Sequence, residues 1–222
     1  MKIFLIAVVC SLFPGLFAAE LKDPRIPERS EETEGLTFTQ NVQRTRNRVS
    51  LKKFRSTSQK GETCNVYSTI MILHYFRCYI MPRDLKRDGK GYKYKYSSFI
   101  RKKLEKYGFD YFMLRTRNIS AFADMIKRSI DNGIPIHWMV DMSLSPIEEE
   151  RSPTHHARVI IGYFHKNGKL TDVFYADSWG RSNLHKKMDL ASAYKMTDSI
   201  NFIFPKDLDK KTKRKLLSPG SR

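Results

Sequence analysis

Residues 63–79 read TCNVYSTIMILHYFRCY. Val66, Tyr67, Ile70, Met71, Ile72, Leu73, Tyr75 and Phe76 leave no face of a helical wheel free of apolar side chains. That pattern belongs to a helix buried all round. Thr63 is suited to the N-cap, and Pro82 lies just beyond the expected end. Ile and Tyr also suit sheet, so a pair of strands is the rival reading. On the helical reading Cys64 occupies the first turn. There, unpaired backbone N–H groups and the helix dipole favour a negative charge. A thiolate is the nucleophilic form of cysteine, and such a position lowers its pKa.

Downstream, Ser97 to Tyr107 carries Phe99, Ile100 and Leu104 on one helical side. Phe109 to Leu114 is an expected strand. Ile119 to Asp131 is an expected helix closed by Gly133, and Ile134 to Met142 an expected strand. Leu144 to Thr154 is an acidic loop. Ala157 to Phe164 and Val173 to Asp177 form two strands joined by a turn at Gly168. Ser199 to Phe204 is the last expected strand, and the basic stretch after Pro205 is expected to fray. Helices first and antiparallel strands after give an α+β class.

Two of those strands carry polar groups suited to a thiolate. His156 opens one and Asp177 ends the next. A turn between antiparallel strands can bring them together. An Asp that accepts from one imidazole nitrogen leaves the other facing the sulfur. His155 competes with His156, and the register to Gly162-Tyr163 selects His156. His74 and His137 lie in apolar segments and are expected to be packed, hydrogen-bonded residues.

These residues carry a family resemblance. Gln59 through Cys64 into an apolar helix resembles the nucleophile segment of papain-like cysteine peptidases. His156 with Gly162-Tyr163 resembles their histidine strand. Asp177-Ser178-Trp179-Gly180 is similar to their Asn-Ser-Trp-Gly segment, with Asp in place of Asn. That acid, the short chain and Gly133-Ile134-Pro135-Ile136 are closest to the bacteriocin-processing (double-glycine) branch. The resemblance implies a papain-like fold, with the helix that carries the nucleophile packed on an antiparallel sheet carrying His and Asp. It implies Gln59 as a side-chain donor to an oxyanion hole, beside the backbone N–H of Cys64. It also implies Trp179 as a structural cover over the His–Asp pair. Gln59 stands five residues before Cys64, one fewer than in the papain pattern, and Asn65 replaces a small residue.

The remaining sequence frames this unit. The chain has 222 residues, 41% of them hydrophobic, enough for a real core. The start is a basic Lys2, an apolar run from Ile3 to Phe13, a break at Pro14-Gly15, and small residues Ala18 and Ala19. That is the pattern of a secretory signal over 1–19, with an uncleaved anchor as its alternative. The expected location is secreted or extracytoplasmic. Residues 20–50 read as a linker, pro-segment or cationic arm, 51–205 as the catalytic domain and 206–222 as a basic tail. Of the three cysteines, Cys10 lies in the apolar run. Cys64 and Cys78 on one helix would stand ~21 Å apart, beyond the ~7 Å a disulfide spans. Two free thiols are expected.

The formal net charge is +18, which attracts anionic partners. Lys86 to Lys106 holds nine bases, two acids and three tyrosines. Basic and aromatic residues together can track an anionic polymer, though export argues against nucleic acid. Membrane contact is expected only through an uncleaved signal or the basic surface. No Cys/His spacing suggests a metal and no Gly-rich loop suggests a nucleotide, so no cofactor is expected. The leading expectation is an exported cysteine peptidase acting on peptides, acidic ones if the bases rim the Cys64 cleft. The alternative is a papain-like protein, inactive or acyl-transferring, whose basic surface binds an anionic polymer or partner.

Overall fold

A computed structural model of the chain describes residues 37–59, 63–85, 96–179 and 185–218. Its elements in order are β1 (Val42–Arg44), β2 (Arg48–Leu51), α1 (Cys64–Tyr75), α2 (Pro82–Leu85), α3 (Tyr96–Lys106), β3 (Phe109–Leu114), α4 (Ile119–Asp131) and β4 (Ile136–Asp141). Then come β5 (His155–Lys166), β6 (Lys169–Asp177), β7 (His185–Asp189), α5 (Leu190–Met196), β8 (Thr197–Pro205) and α6 (Lys210–Leu217).

The strands form one antiparallel sheet ordered β1-β2-β5-β4-β8-β3, with β6 pairing β5 and β7. The long strand β5 organises it. Its first half, His155 to Ile160, pairs with β4, and its second half, Gly162 to Phe164, pairs with β2. Its other edge carries β6. One strand serving three neighbours curls the sheet. Gly162 permits the change of partner, because a Cβ there would meet the Val49 carbonyl at 2.6 Å and the Ser50 side chain at 2.8 Å.

Helix α1 packs on β5. Val66, Ile70, Met71, Ile72 and Leu73 are buried, as the apolar wheel requires. Ser68 Oγ donates to the Ala157 carbonyl of β5 at 2.9 Å. Ser68 and Cys64 are four residues apart and share a helix face. The bond that fastens Ser68 to Ala157 therefore also aims Cys64 at the start of β5, where His156 stands. The α+β architecture is that of a papain-like protein: a buried helix with the thiol at its N-terminus on a sheet carrying His and Asp.

Several boundaries differ from the sequence reading. Helix α1 ends at Tyr75 because Arg77 adopts φ 63°, a left-handed C-terminal stop. Cys78 is thus off the helix, and as expected neither Cys64 nor Cys78 is in a disulfide. Within the stretch expected as linker, pro-segment or cationic arm, Thr39–Asn41 form a 3-10 turn that leads into β1. Strands β1 and β2 pair with each other and β2 with β5, so the sheet begins ahead of residue 51. The basic stretch after Pro205 folds as α6 instead of fraying. Asp209 caps it by accepting from the Thr212 N–H at 2.8 Å, Leu216 is 1% exposed, and Lys213 pairs with Asp110 at 2.9 Å. A cap, a buried anchor and a tertiary ion pair outweigh the repulsion of a basic helix. The stretch 1–36 that holds the expected signal, Gly180, and much of the Lys86 to Lys106 run lie outside the described residues.

Candidate active site

Two strands and one helix converge on a single point. Cys64 is the first residue of α1, with Thr63 at the cap position making no side-chain capping bond. The uncapped first turn leaves its N–H groups for another acceptor. The Cys64 thiol is hydrogen-bonded to His156 and to the backbone N–H groups of Ala157 and Asn65. Burial pushes the thiol up, but those bonds and the imidazole charge outweigh it and bring it below its ordinary value.

His156 is 3% exposed, and its Nε2 meets Asp177 Oδ1 at 2.7 Å. Burial pulls the imidazole down. The bonds to Asp177 and Cys64, and their charges, pull it up further, so the net direction is upward. Nε2 is committed to the carboxylate, which leaves Nδ1 for the sulfur. His155 faces the other side of β5, is exposed, and stands opposite Asp141.

Asp177 is 1% exposed and fully engaged. Oδ1 accepts from His156 and from the Trp179 N–H at 2.8 Å, and Oδ2 accepts from Arg158 Nε at 2.9 Å. Burial alone would raise its pKa; the bond and charge of His156, the Arg158 guanidinium and the Trp179 N–H bring it down to about 2. The Trp179 ring lies 5.0 Å from the imidazole, covering one side of it while remaining 49% exposed. Gln59 is tied to the same segment. Its N–H donates to the Ser178 carbonyl at 2.8 Å, and its Oε1 accepts from Ser178 Oγ at 2.7 Å. With Oε1 taken by Ser178, the amide is oriented and its NH2 points the other way.

Sequence reasoning missed a buried ion chain behind this group. Arg158 is fully buried and stands directly opposite Asp177 in the β5–β6 register. Its second arm bonds Glu150 Oε2 at 2.8 Å, and Glu150 Oε1 takes Lys186 Nζ at 2.8 Å. Its guanidinium lies 4.9 Å from the Tyr175 ring centroid. A signal was present: Arg158 is two residues from His156 and so shares its strand face. A lone Arg inside an apolar strand demands a carboxylate partner.

A second polar chain supports α1 from below. His137 is fully buried, takes Asn201 Nδ2 on its Nδ1 at 3.1 Å and bonds the Asn65 backbone. Asn201 Oδ1 in turn accepts from the Tyr111 hydroxyl at 2.9 Å. Burial, against only backbone bonds, brings His137 down to about 3, so it is a neutral spacer. The Asn65 carbonyl, next to Cys64, is held by Thr69 at 2.8 Å as well.

The profile of the peptidase C39-like family matches residues 42–201, from the first strand into the last. The chain belongs to the peptidase C39-like family. Membership places it among papain-like cysteine peptidases related to the bacteriocin-processing C39 peptidases. The family match begins at β1, in keeping with a sheet that starts ahead of residue 51. Among curated proteins, no sequence matches. In this member of the C39-like family, the helix start, the histidine strand and the strand ending in an acid are the parts that meet.

Proposed function

We propose that the chain is an exported peptidase that cleaves peptide bonds through a Cys64 thiolate, with His156 as proton carrier and Asp177 as its orienter. One observation carries this reading: Cys64 bonds one side of the His156 ring while Asp177 holds the other at 2.7 Å. The cysteine-peptidase class follows from the family; the residue roles and the export are this reading's own.

The proposed chemistry runs as a thiolate acyl transfer. The proton of Cys64 rests on His156, and the sulfur attacks the scissile carbonyl carbon. The carbonyl π pair moves onto oxygen, where the Cys64 backbone N–H and the Gln59 amide donate to it. The oxyanion collapses, the C–N bond breaks, and His156 gives its proton to the departing amine. A thioester on Cys64 remains. His156, now neutral, takes a proton from water as the water oxygen attacks that thioester, and the sulfur leaves as thiolate. Asp177 keeps the ring in one tautomer and stabilises its charged form.

The +18 charge favours the capture of acidic peptides. Export rests on the pattern of residues 1–19 and implies an N-terminus at Glu20 after processing.

A peptide library incubated with the purified chain tests the reading, with products and enzyme followed by mass spectrometry. Cleavage, and an acyl adduct on Cys64 lost in Cys64→Ala, are expected. Acyl adducts that pass to an added amine and never to water would make the protein a transferase. No adduct under any condition would overturn the reading.

A further inference from the structure

Four cations of the chain line a cavity that the peptidase reading does not use. A cavity of about 640 Å³ is lined by Lys52, Lys53, Arg55 and Arg77, with His74 and Tyr79 beside them. Among the described residues, none that lines it is acidic. All four cationic side chains are exposed. They come from two places, the turn after β2 and the turn after α1, which the fold brings together. That is the far end of α1, ~16 Å along the helix from Cys64.

Three features set the cavity apart from a merely solvated face. Four cations line one concavity, and although Lys52 Nζ donates to the Gln40 carbonyl at 3.2 Å, that neutral acceptor cancels none of their charge, so like charges repel there unless an anion is present. The negative end of the α1 dipole accounts for about half a charge, not four. Lys53 and Arg77 both hold left-handed backbone, φ 57° and 63°. That region favours Gly or Asn, yet two long cations occupy it. The Tyr79 ring, 61% exposed, adds a flat apolar wall.

We propose that this cavity binds a compact, multiply charged phosphate group. The charge argues for phosphate over carboxylate, because one phosphate ester carries ~2 negative charges at neutral pH and a carboxylate only one. The residues agree. Arg55 and Arg77 present planar forks that match phosphate oxygens in pairs, and Lys52 and Lys53 add point charges. The size suits a small ligand. The site is independent of the Cys64 chemistry, so either reading can fail alone.

Titration calorimetry of the full chain with tripolyphosphate tests this. Saturable binding of one equivalent is expected. The variant Lys53→Gln/Arg55→Gln/Arg77→Gln should bind at least ~10-fold more weakly, since each lost charged hydrogen bond matters separately. Lys210→Gln/Lys211→Gln/Lys215→Gln, which removes the same charge from the exposed face of α6, should stay within ~2-fold, as remote charges are screened. Arg55→Gln alone leaves both left-handed residues intact and should weaken binding several-fold, even if the triple variant folds poorly. Equal weakening in the cavity and α6 variants, or no saturable binding, would overturn the proposal. Flotation with phosphatidylcholine vesicles, with and without phosphatidic acid, identifies the source. Cavity-dependent flotation assigns the phosphate to a lipid headgroup; tripolyphosphate binding without flotation assigns a soluble ligand.

Discussion

Arg158 and Asp177 face each other across β5 and β6 and share a 2.9 Å ion pair, at 0% and 1% side-chain exposure. The carboxylate that bonds His156 is therefore half of a buried ion pair, not a lone hydrogen-bond acceptor. Removing one member of such a pair leaves a buried polar atom of the other unmatched, even though Arg158 keeps Glu150 and Asp177 keeps His156 and the Trp179 N–H. Arg158→Met should cost roughly 3 kcal/mol, a fall in Tm of about 6–12 °C for a chain of this size. Asp177→Ala should cost at least as much, because Arg158 Nε, His156 Nε2 and the Trp179 N–H all lose their acceptor, while Arg158 keeps only its bond to Glu150. Thermal unfolding of the two variants checks this. A Tm change under ~2 °C for both would show that the pair is not needed to hold the strands.

The directions of the Cys64 and His156 shifts set a pH window. Cys64 is brought down and His156 up. The thiolate therefore forms at lower pH than in a free cysteine, and the imidazolium survives to higher pH than in a free histidine. Alkylation by a neutral thiol reagent should already be fast near pH 7. His156→Ala removes the bond and the charge that lower the thiol, and should slow the rate at pH 7 by at least ~10-fold. Cys78, fully buried, is the internal control and should not react in the folded chain. Equal, slow rates for Cys64 in both proteins would remove the basis for a thiolate nucleophile.

Asp177 also contributes to how the fold responds to acid. Its folded pKa is about 2, below the ordinary carboxylate value. A depressed acid contributes stability that is present above the unfolded pKa of ~4 and lost as pH falls through 2. His156 acts with the opposite sign. Its raised pKa adds stability below ~6.5 that is lost as pH rises through the folded value. The urea midpoint of the wild type should fall between about pH 4 and pH 2. In Asp177→Asn that part of the fall should shrink, on the order of 2 kcal/mol of the difference. A parallel pH profile in the two proteins would mean that Asp177 is not the group being titrated.

The site residues were legible because each carries a local signature. Cys64 opens an apolar run, His156 opens a strand in register with Gly162-Tyr163, and Asp177 ends its neighbour. Arg158, Glu150 and Lys186 were not, since their meeting depends on a register and a loop path that no local pattern states. Strand β7 has only Met188 buried among charged neighbours, so periodicity could not mark it. Helix α6 was hidden by its charge. Its amphipathic anchor is Leu216 and its cap is Asp209, and docking on β3 through Lys213–Asp110 is a tertiary fact. The end of α1 was overshot for a related reason: Arg77 stops the helix with a left-handed turn at a residue that gives no such warning.

On the proposed reading, variants of Gln59 separate two tasks that a cysteine peptidase must perform, making the thiolate and stabilising the oxyanion. Its Oε1 is occupied by Ser178 Oγ at 2.7 Å, which leaves its NH2 as the donating end. Gln59→Ala should lower kcat by ~10²–10³ while the alkylation rate of Cys64 changes little, because the Cys64–His156 bond does not involve it. The alanine variant also loses the bond to Ser178, so a fall in rate alone would not distinguish a donor from a brace. Gln59→Glu makes that distinction. A carboxylate still accepts from Ser178 Oγ but offers no N–H, and it would place a negative charge where the oxyanion forms. If Gln59 donates, the Glu variant should be at least as slow as the Ala variant. If it only braces the Ser178-Trp179 turn, Glu should restore most of the rate. Steady-state hydrolysis of one peptide substrate by the three proteins decides between the two.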